Sequence, residues 1–148
     1  MSATDVVRSY LASAGIPHSE AGEGRWGAQL AGERKRTIPV SLAIAGETLV
    51  IESFFMRRPQ ENAERFYATL LRRNARAYGM AFALDAVGDV YLIGRFDART
   101  VDEPELDRIF GSILVEADGS FDEAIAIGFE SYLARDLAWR RKAAEPSA

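Results

Sequence analysis

The chain contains no cysteine, a single histidine and no long apolar run. Without cysteine it forms neither disulfides nor thiolate metal sites, a composition that suits a reducing cytoplasm. One histidine excludes a multi-histidine metal site and leaves no spare base for a Ser-His-Asp triad. No stretch approaches the roughly 20 apolar residues of a bilayer-spanning helix, and residues 1–5 carry an acid where a signal peptide carries a base. We therefore expect a cytoplasmic protein without a membrane segment.

Length and composition predict one globular domain. A chain of 148 residues has the size of a single domain and buries enough surface on folding to need no metal or disulfide. Its hydrophobic share of 48% and charged share of 27% are ordinary for a folded protein. We place the domain at residues 1–142 and expect residues 143–148 to form a disordered tail.

Charge is unevenly distributed along the chain. The net charge of −4 disfavours general binding to nucleic acid, which depends on neutralised phosphates. Residues 57–76 nevertheless carry six arginines against two glutamates, whereas residues 97–136 carry eleven acids against three arginines. The basic segment is therefore the first candidate for a binding site.

Hydrophobic periodicity predicts the order α-βββ-α-ββ-αα. Apolar residues at helical spacing predict a first helix capped by Ser2 and Asp5, a second over 61–78, and two more that begin after Asp102 and at Ser120. Alternation predicts five strands, at 25–30, 38–44, 48–56, 80–84 and 90–96. Strands grouped without βαβ alternation indicate an α+β fold with a five-stranded antiparallel sheet flanked by helices. Pro39 cannot donate to a ladder, so we expect its end of the strand at an edge.

Three motifs resemble cofactor or metal sites, and each lacks a required part. Gly22–Gly27 matches GxGxxG but follows a helix and opens a strand, so it reads as a turn rather than a dinucleotide loop. His18 lies in a polar turn, so we expect it to be exposed, and no second histidine is present to share a metal ion with it. Residues 118–123 resemble part of a calcium loop, yet that register places Leu114 and Ile125 at the first and last ligand positions. We therefore predict no cofactor and no metal.

The basic segment places arginines on one face of the predicted helix over 61–78. Arg65, Arg72 and Arg76 share that face. Such a cluster binds a phosphate or an acidic peptide, or else pairs with the acidic half of the same chain. The neighbouring aromatics Phe54, Phe55, Phe66 and Tyr67 have a spacing that places most of them in the core rather than on a nucleic-acid platform. The candidate residues for a ligand or partner are Arg57, Arg58, Arg72, Arg73, Asn74 and Arg95.

Several segments together resemble the YbjN domain family. They are Trp26, Glu52–Phe55, Arg58–Asn62, Leu70–Asn74, Gly88–Arg95, Leu106–Gly111 and Trp139–Arg140. Their order and spacing match from about residue 4 to residue 140. The resemblance implies a fold similar to type III secretion chaperones, which are small, acidic and commonly dimeric, with a curved antiparallel sheet. The family is described as bacterial sensory transduction regulators, a label that implies no catalytic residues.

Three functional hypotheses follow. The first is a non-enzymatic protein-binding module, chaperone-like or regulatory, that forms a homodimer. The second is a sensor of a small anion or nucleotide that uses the arginines. The third is an enzyme whose carboxylate site is assembled from distant residues. We favour the first because the chain shows no catalytic constellation and because of the family that it resembles.

Overall fold

The computed structural model describes residues 1–145 and contains four helices and a six-stranded sheet. The elements are α1 (Ala3–Ser13), β1 (His18–Glu20), β2 (Arg25–Ala31), β3 (Thr37–Ala45), β4 (Thr48–Met56), α2 (Ala63–Asn74), β5 (Ala81–Leu84), β6 (Val90–Asp97), α3 (Glu103–Gly128) and α4 (Glu130–Ala144). The strands lie in the order β1-β2-β3-β4-β6-β5, and every neighbouring pair is antiparallel. The predicted α+β class is confirmed. Of the predicted tail, residues 143 and 144 belong to α4, and residues 146–148 lie outside the described residues.

The sheet has six strands rather than the predicted five. The additional strand is β1, which the sequence places in a turn. It pairs with β2 through the register His18↔Ala28, and the Gln29 N–H donates to the Pro17 carbonyl at 3.0 Å. All three residues of β1 are exposed, so the strand lacks the alternation of apolar and polar residues that would reveal it.

The predicted helix start at Ser120 is wrong. The Asp102 cap is confirmed, because its Oδ1 accepts the Glu105 N–H at 2.9 Å, but α3 then runs without interruption to Gly128. Ser120 lies inside this helix and is 1% exposed. It faces the core, so its resemblance to a capping residue comes from local sequence alone.

The core lies on one face of the sheet. Alternate side chains of the strands pack against α1, α2 and α3, and each large one that is fully buried stabilises the fold by roughly 1.5–3 kcal/mol. Fully buried side chains include Val7, Leu11, Ile38, Leu42, Leu49, Ile51, Phe55, Phe66, Leu92, Leu106, Ile109 and Ile113. The intervening residues of β2, β3 and β4 are exposed or half-buried. One face of the sheet is therefore packed and the other is uncovered, as antiparallel sheets permit.

The bend between α3 and α4 is held by the loop before α2. The Gln60 and Glu61 N–H groups donate to the Gly128 carbonyl at 2.9 and 3.2 Å. The Glu61 carboxylate accepts the Ser131 N–H at 2.5 Å, and this bond, more than the one from the Ser131 hydroxyl, lowers the pKa of Glu61 from its ordinary 4.5. Carboxylates are favourable at helix N-termini, so Glu61 stabilises the start of α4.

Asn62 completes this contact. Its φ of 54° is the only positive φ of a non-glycine residue in the described chain; asparagine tolerates that conformation better than most residues do. The side-chain amide donates to the Ile127 carbonyl at 2.8 Å and to the Glu130 carboxylate at 3.2 Å. A carbonyl left open at the end of α3 thereby gains a partner.

Candidate functional site

The structure divides the six candidate residues among three places. Arg57 and Arg58 follow the end of β4, and Arg72, Arg73 and Asn74 lie in the last turn of α2. Arg95 is exposed on β6. It is in register with Val50, on the uncovered face of the sheet. Since α2 packs on the other face, these residues do not form one cluster.

Arg73 pairs with the acidic half of the chain. Its Nε lies 2.9 Å from Glu116 Oε1, and its Nη2 donates to the Val115 carbonyl at 3.4 Å. The Glu116 side chain is 10% exposed and that of Arg73 is 30% exposed. A buried carboxylate requires a partner, so Arg73 links α2 to α3. Arg72 and Arg76 line a depression of about 340 Å³ beside this pair.

Asn74 covers the outer edge of the sheet. Its Oδ1 accepts the Phe82 N–H at 2.7 Å, and its Nδ2 donates to the Phe82 carbonyl at 3.1 Å. Phe82 and Leu84 are the residues of β5 whose backbone groups point away from β6. The amide therefore occupies the position of a neighbouring strand and restricts pairing at this edge.

Arg57 and Arg58 make different contacts at the end of β4. The Arg57 guanidinium lies 5.3 Å from the centre of the Phe129 ring, in a cation–π arrangement. The Arg58 N–H donates to Asp89 Oδ1 at 2.8 Å, which ties the end of β4 to the turn between β5 and β6. Both side chains are exposed.

A concavity lies on the uncovered face of the sheet, and none of the candidate arginines lines it. This groove has a volume of about 600 Å³. Phe54 and Tyr91 form one wall, with ring centres 5.3 Å apart in an edge-to-face arrangement. Gly27 and Ser41 are in register on β2 and β3 and form a floor of small residues. A Cβ added at Gly27 would have no atom within 4 Å, so the groove is open above it.

Sequence reasoning did not predict the groove. Among the aromatics expected in the core, Phe55 and Phe66 are buried, but Phe54 points outward and is 39% exposed. The available signal was the alternation of β4, which places neighbouring residues on opposite faces. Since Phe55 is in the core, Phe54 faces away from it.

Among residues 1–145, Glu52 is the only one with a carboxylate that lines the groove. It is half-buried, and within residues 1–145 no arginine or lysine nitrogen lies within 4 Å of its carboxylate. His18, also at the groove, is exposed, and its Nδ1 lies 2.7 Å from the Ile16 carbonyl. The groove is thus apolar with one acidic position.

The described part of the chain holds no group of three or more histidine, aspartate or glutamate side chains arranged to bind a metal ion. None of its helices combines the length and apolarity needed to cross a membrane.

The family model of YbjN, described as "Putative bacterial sensory transduction regulator", matches residues 3–126. The chain belongs to the YbjN family. It is 42% identical over 112 residues to the uncharacterized protein Rv0487 of Mycobacterium tuberculosis, which covers 76% of this chain and 61% of that relative. The chain thus spans about six tenths of the length of the relative. The family match ends before α4 begins.

Solved structures share the fold. YbjN from E. coli superposes with a TM-score of 0.58 at 14% identity, covering 83% of this chain and 91% of that one. The Yersinia pestis type III secretion chaperone SycH, solved in complex with a fragment of YscM2, gives a TM-score of 0.54 at 17% identity and covers 84% of this chain and 98% of that one. The predicted similarity to type III secretion chaperones is confirmed for the fold.

Proposed function

We propose that this YbjN-family chain is a cytoplasmic, non-enzymatic protein-binding module, chaperone-like or regulatory, that binds its partner on the uncovered face of the sheet. The observation that carries the proposal is the groove of about 600 Å³ walled by Phe54 and Tyr91. Exposed apolar patches commonly mark interaction sites, and aromatic anchors supply much of the energy of protein interfaces. The fold shared with a chaperone solved with a protein fragment supports the same reading.

A single substitution that fills the groove tests the proposal. Gly27 lies in β2, and its φ is not in the left-handed range, so valine fits the backbone and has the higher strand propensity. We expect Gly27→Val to fold and to lose partner binding. Gly111→Ala on α3 is the matched control, because a Cβ there also has no atom within 4 Å.

The measurement is photo-crosslinking with benzoylphenylalanine in place of Phe54. Val115, which is 61% exposed on α3, provides a second crosslinker position on the helical side of the molecule. We expect specific protein adducts from position 54, their loss in Gly27→Val and their retention in Gly111→Ala. Equal adducts from both positions, or adducts that survive Gly27→Val, would contradict the proposal.

We also propose that the chain forms a homodimer. The support is α4, a helix of 15 residues without a buried side chain, on which Tyr132, Leu137 and Trp139 are 49%, 53% and 68% exposed. Isolated helices of this length are marginal in water. Sedimentation equilibrium at micromolar concentration should show a dimer. Acrylamide should quench Trp139 less as the concentration rises, whereas Trp26, 2% exposed, stays protected throughout. A monomer at all concentrations contradicts the dimer.

The alternative function, an anion or nucleotide sensor, rests on the depression of about 340 Å³ lined by Arg72, Arg73, Arg76 and Glu116. The carboxylate of Glu116 competes for Arg73 there, which leaves Arg72 and Arg76 to bind an anion. ATP and pyrophosphate should raise the melting temperature by mass action, and Arg72→Ala should remove the effect. A flat response to both anions excludes this alternative.

A further inference from the structure

The helix α4 carries an aromatic face that its own chain leaves uncovered. Tyr132 and Trp139 are seven positions apart, a spacing that places both on the same face of a helix. They are 49% and 68% exposed, and α4 has no buried side chain. Within residues 1–145, no residue of α4 lines the groove on the sheet. The chain therefore presents an aromatic helix face and an aromatic-walled groove without bringing the two together.

Lys142 extends this face at the C-terminal end of α4. It lies three positions after Trp139, a spacing that places the two Cβ atoms about 5–6 Å apart, and its side chain is exposed. Asp136 of the same helix pairs with Arg140 at 3.0 Å. Among residues 1–145, no carboxylate oxygen lies within 4.0 Å of the Lys142 ammonium. The end of α4 thus presents an indole and an unpaired ammonium side by side.

The groove presents the complementary pair at a similar spacing. Phe54, in the aromatic wall, and Glu52 are two positions apart on β4, and both side chains line the groove. At 3.3–3.4 Å per residue, their Cα atoms are about 7 Å apart. Trp139 placed against the Phe54 ring therefore brings the Lys142 ammonium within reach of the Glu52 carboxylate, which has no cation beside it in its own chain.

Neighbouring charges on the uncovered face confine the acidic position to the row of Glu52. Arg25 and Arg95 lie in one row across the sheet with Val50, two residues along β4 from Glu52 and on the side away from Phe54. Like charges oppose each other, so an ammonium placed over that row would be repelled. A basic helix end is therefore directed to Glu52, next to the aromatic wall.

The dimensions of α4 suit the face of the sheet. Its 15 residues at 1.5 Å each make a helix of about 22 Å. Six strands at a spacing of about 4.8 Å span about 24 Å. The floor of the groove is low, because Gly27 and Ser41 are in register on β2 and β3. A helix can therefore approach the sheet closely enough for an aromatic side chain to enter the groove.

We propose, resting on the groove and the homodimer of the proposed function, that α4 of each chain binds in the groove of a second copy. Trp139 packs against the wall formed by Phe54 and Tyr91, and the Lys142 ammonium pairs with the Glu52 carboxylate. An amphipathic helix in an apolar groove is a common mode of recognition. A two-fold axis makes the two contacts equivalent and closes the assembly at a dimer. Because the dimer covers the groove, a protein partner and the second copy compete for it.

Substitutions on the two sides of the contact test it by sedimentation equilibrium. Gly27→Val fills the groove and Trp139→Ala removes the anchoring ring, so each should weaken dimerisation at least about tenfold, as expected for the loss of an interface anchor. Leu137→Ala is the matched control on α4. Leu137 is 53% exposed but lies about 200° around the helix from Trp139. Gly111→Ala is the control for the glycine, and both controls should dimerise like the wild type.

A mixture of the two weakened variants gives the most specific readout. Gly27→Val retains an intact α4 and Trp139→Ala retains an intact groove, so one of the two contacts forms in the mixed pair. We expect native mass spectrometry, which resolves the two chains by mass, to show more heterodimer than either homodimer. If α4 paired with α4 instead, Gly27→Val would dimerise like the wild type and mixing would add nothing.

Charge reversal tests the ion pair independently of the groove glycine. Glu52→Lys should weaken the dimer several-fold, and the further substitution Lys142→Glu should restore it, because the pair is then formed with the signs exchanged. Arg141→Glu is the matched control, since Arg141 points about 100° away from Lys142, and it should not restore the dimer. In the purified wild-type background, benzoylphenylalanine at position 54 should capture residues 139–142 of the second copy.

The outcomes distinguish this inference from the proposed function. Wild-type dimerisation by Gly27→Val, a mixture without additional heterodimer, or a charge reversal that Arg141→Glu restores as well as Lys142→Glu overturns the contact between α4 and the groove. A dimer that persists in those cases still supports the homodimer. A wild-type chain that is monomeric at all concentrations overturns both the homodimer and this inference. Adducts of a different protein at position 54 would in that case still support protein binding in the groove.

Discussion

Gly128 and Gly111 make a matched pair of opposite predictions for substitution by alanine. Both lie in α3, where replacing glycine by alanine normally stabilises a helix by about 1 kcal/mol. At Gly111 the new Cβ has no atom within 4 Å, so we expect that gain. At Gly128 it would lie 2.7 Å from Phe66 Cδ2 and 2.9 Å from Pro59 Cβ. Neither neighbour yields easily, because Phe66 is fully buried and proline is rigid.

The clash at Gly128 outweighs the gain in helix propensity. Overpacking of this kind costs roughly 1–3 kcal/mol. The two hydrogen bonds that the Gly128 carbonyl accepts from Gln60 and Glu61 are worth about 1 kcal/mol each, and displacing the loop weakens them. We expect a net loss of about 2 kcal/mol for Gly128→Ala. For a chain of this size that lowers Tm by roughly 4–8 °C, and Gly111→Ala should raise it by roughly 2–4 °C.

Urea unfolding followed by circular dichroism measures both effects by linear extrapolation. The two sites are 17 residues apart on one helix, which at 1.5 Å per residue is about 25 Å, so the double variant should show the sum of the two changes. A Gly128→Ala chain as stable as the wild type would refute the reasoning, because it would show that the loop before α2 does not pack closely against the bend.

Two further predictions concern the links between α3 and the rest of the fold. Arg73→Ala should lower the free energy of unfolding by roughly 2 kcal/mol, which is below the usual cost of breaking a buried pair because Arg73 is partly exposed. Arg72→Ala should change it by less than about 0.5 kcal/mol. Equal effects of the two substitutions in urea unfolding would contradict the pairing of Arg73 with Glu116. Asp118 accepts the Arg34 N–H at 2.7 Å, which lowers the pKa of Asp118 from its ordinary 3.8. The stabilisation by the Asp118 carboxylate is therefore present at neutral pH and lost as the pH falls through the lowered pKa. The free energy of unfolding of Asp118→Asn should differ from that of the wild type above about pH 4 and converge with it below. A constant difference at all pH values would refute this.

The parts of the fold that the sequence predicted are those with a local signal. Alternation in β2 to β6 and the capping groups of α1 identified those elements within a few residues, because each pattern reflects burial of one face. The exposed β1 has no such pattern. The bend at Phe129 depends on contacts with residues 60–62, about 70 positions earlier in the chain, and short-range reasoning placed it at Ser120 instead.

The candidate site, too, could be predicted only where its signal is local in the sequence. Charge density singled out the arginines of α2 as a candidate site, but only the packing shows that Arg73 is paired with Glu116 and that Arg95 lies on the other side of the sheet. Pro39 suggested a sheet edge, but β3 lies between β2 and β4, and Pro39 is in register with Gln29 of β2. The groove itself depends on the small side chains of Gly27 and Ser41 in register, and their pairing is set by the tertiary fold rather than by either strand alone.

The Asn74 amide has a consequence for the behaviour of the chain at high concentration. A free sheet edge acts as a template on which like strands of other molecules add, the first step of aggregation. The amide of Asn74 offers a donor and an acceptor with the spacing of one residue of such a strand, and aspartate or leucine could not supply both. Substituting Asn74 would therefore expose the Phe82 N–H and carbonyl at this edge of the sheet, remote from the groove.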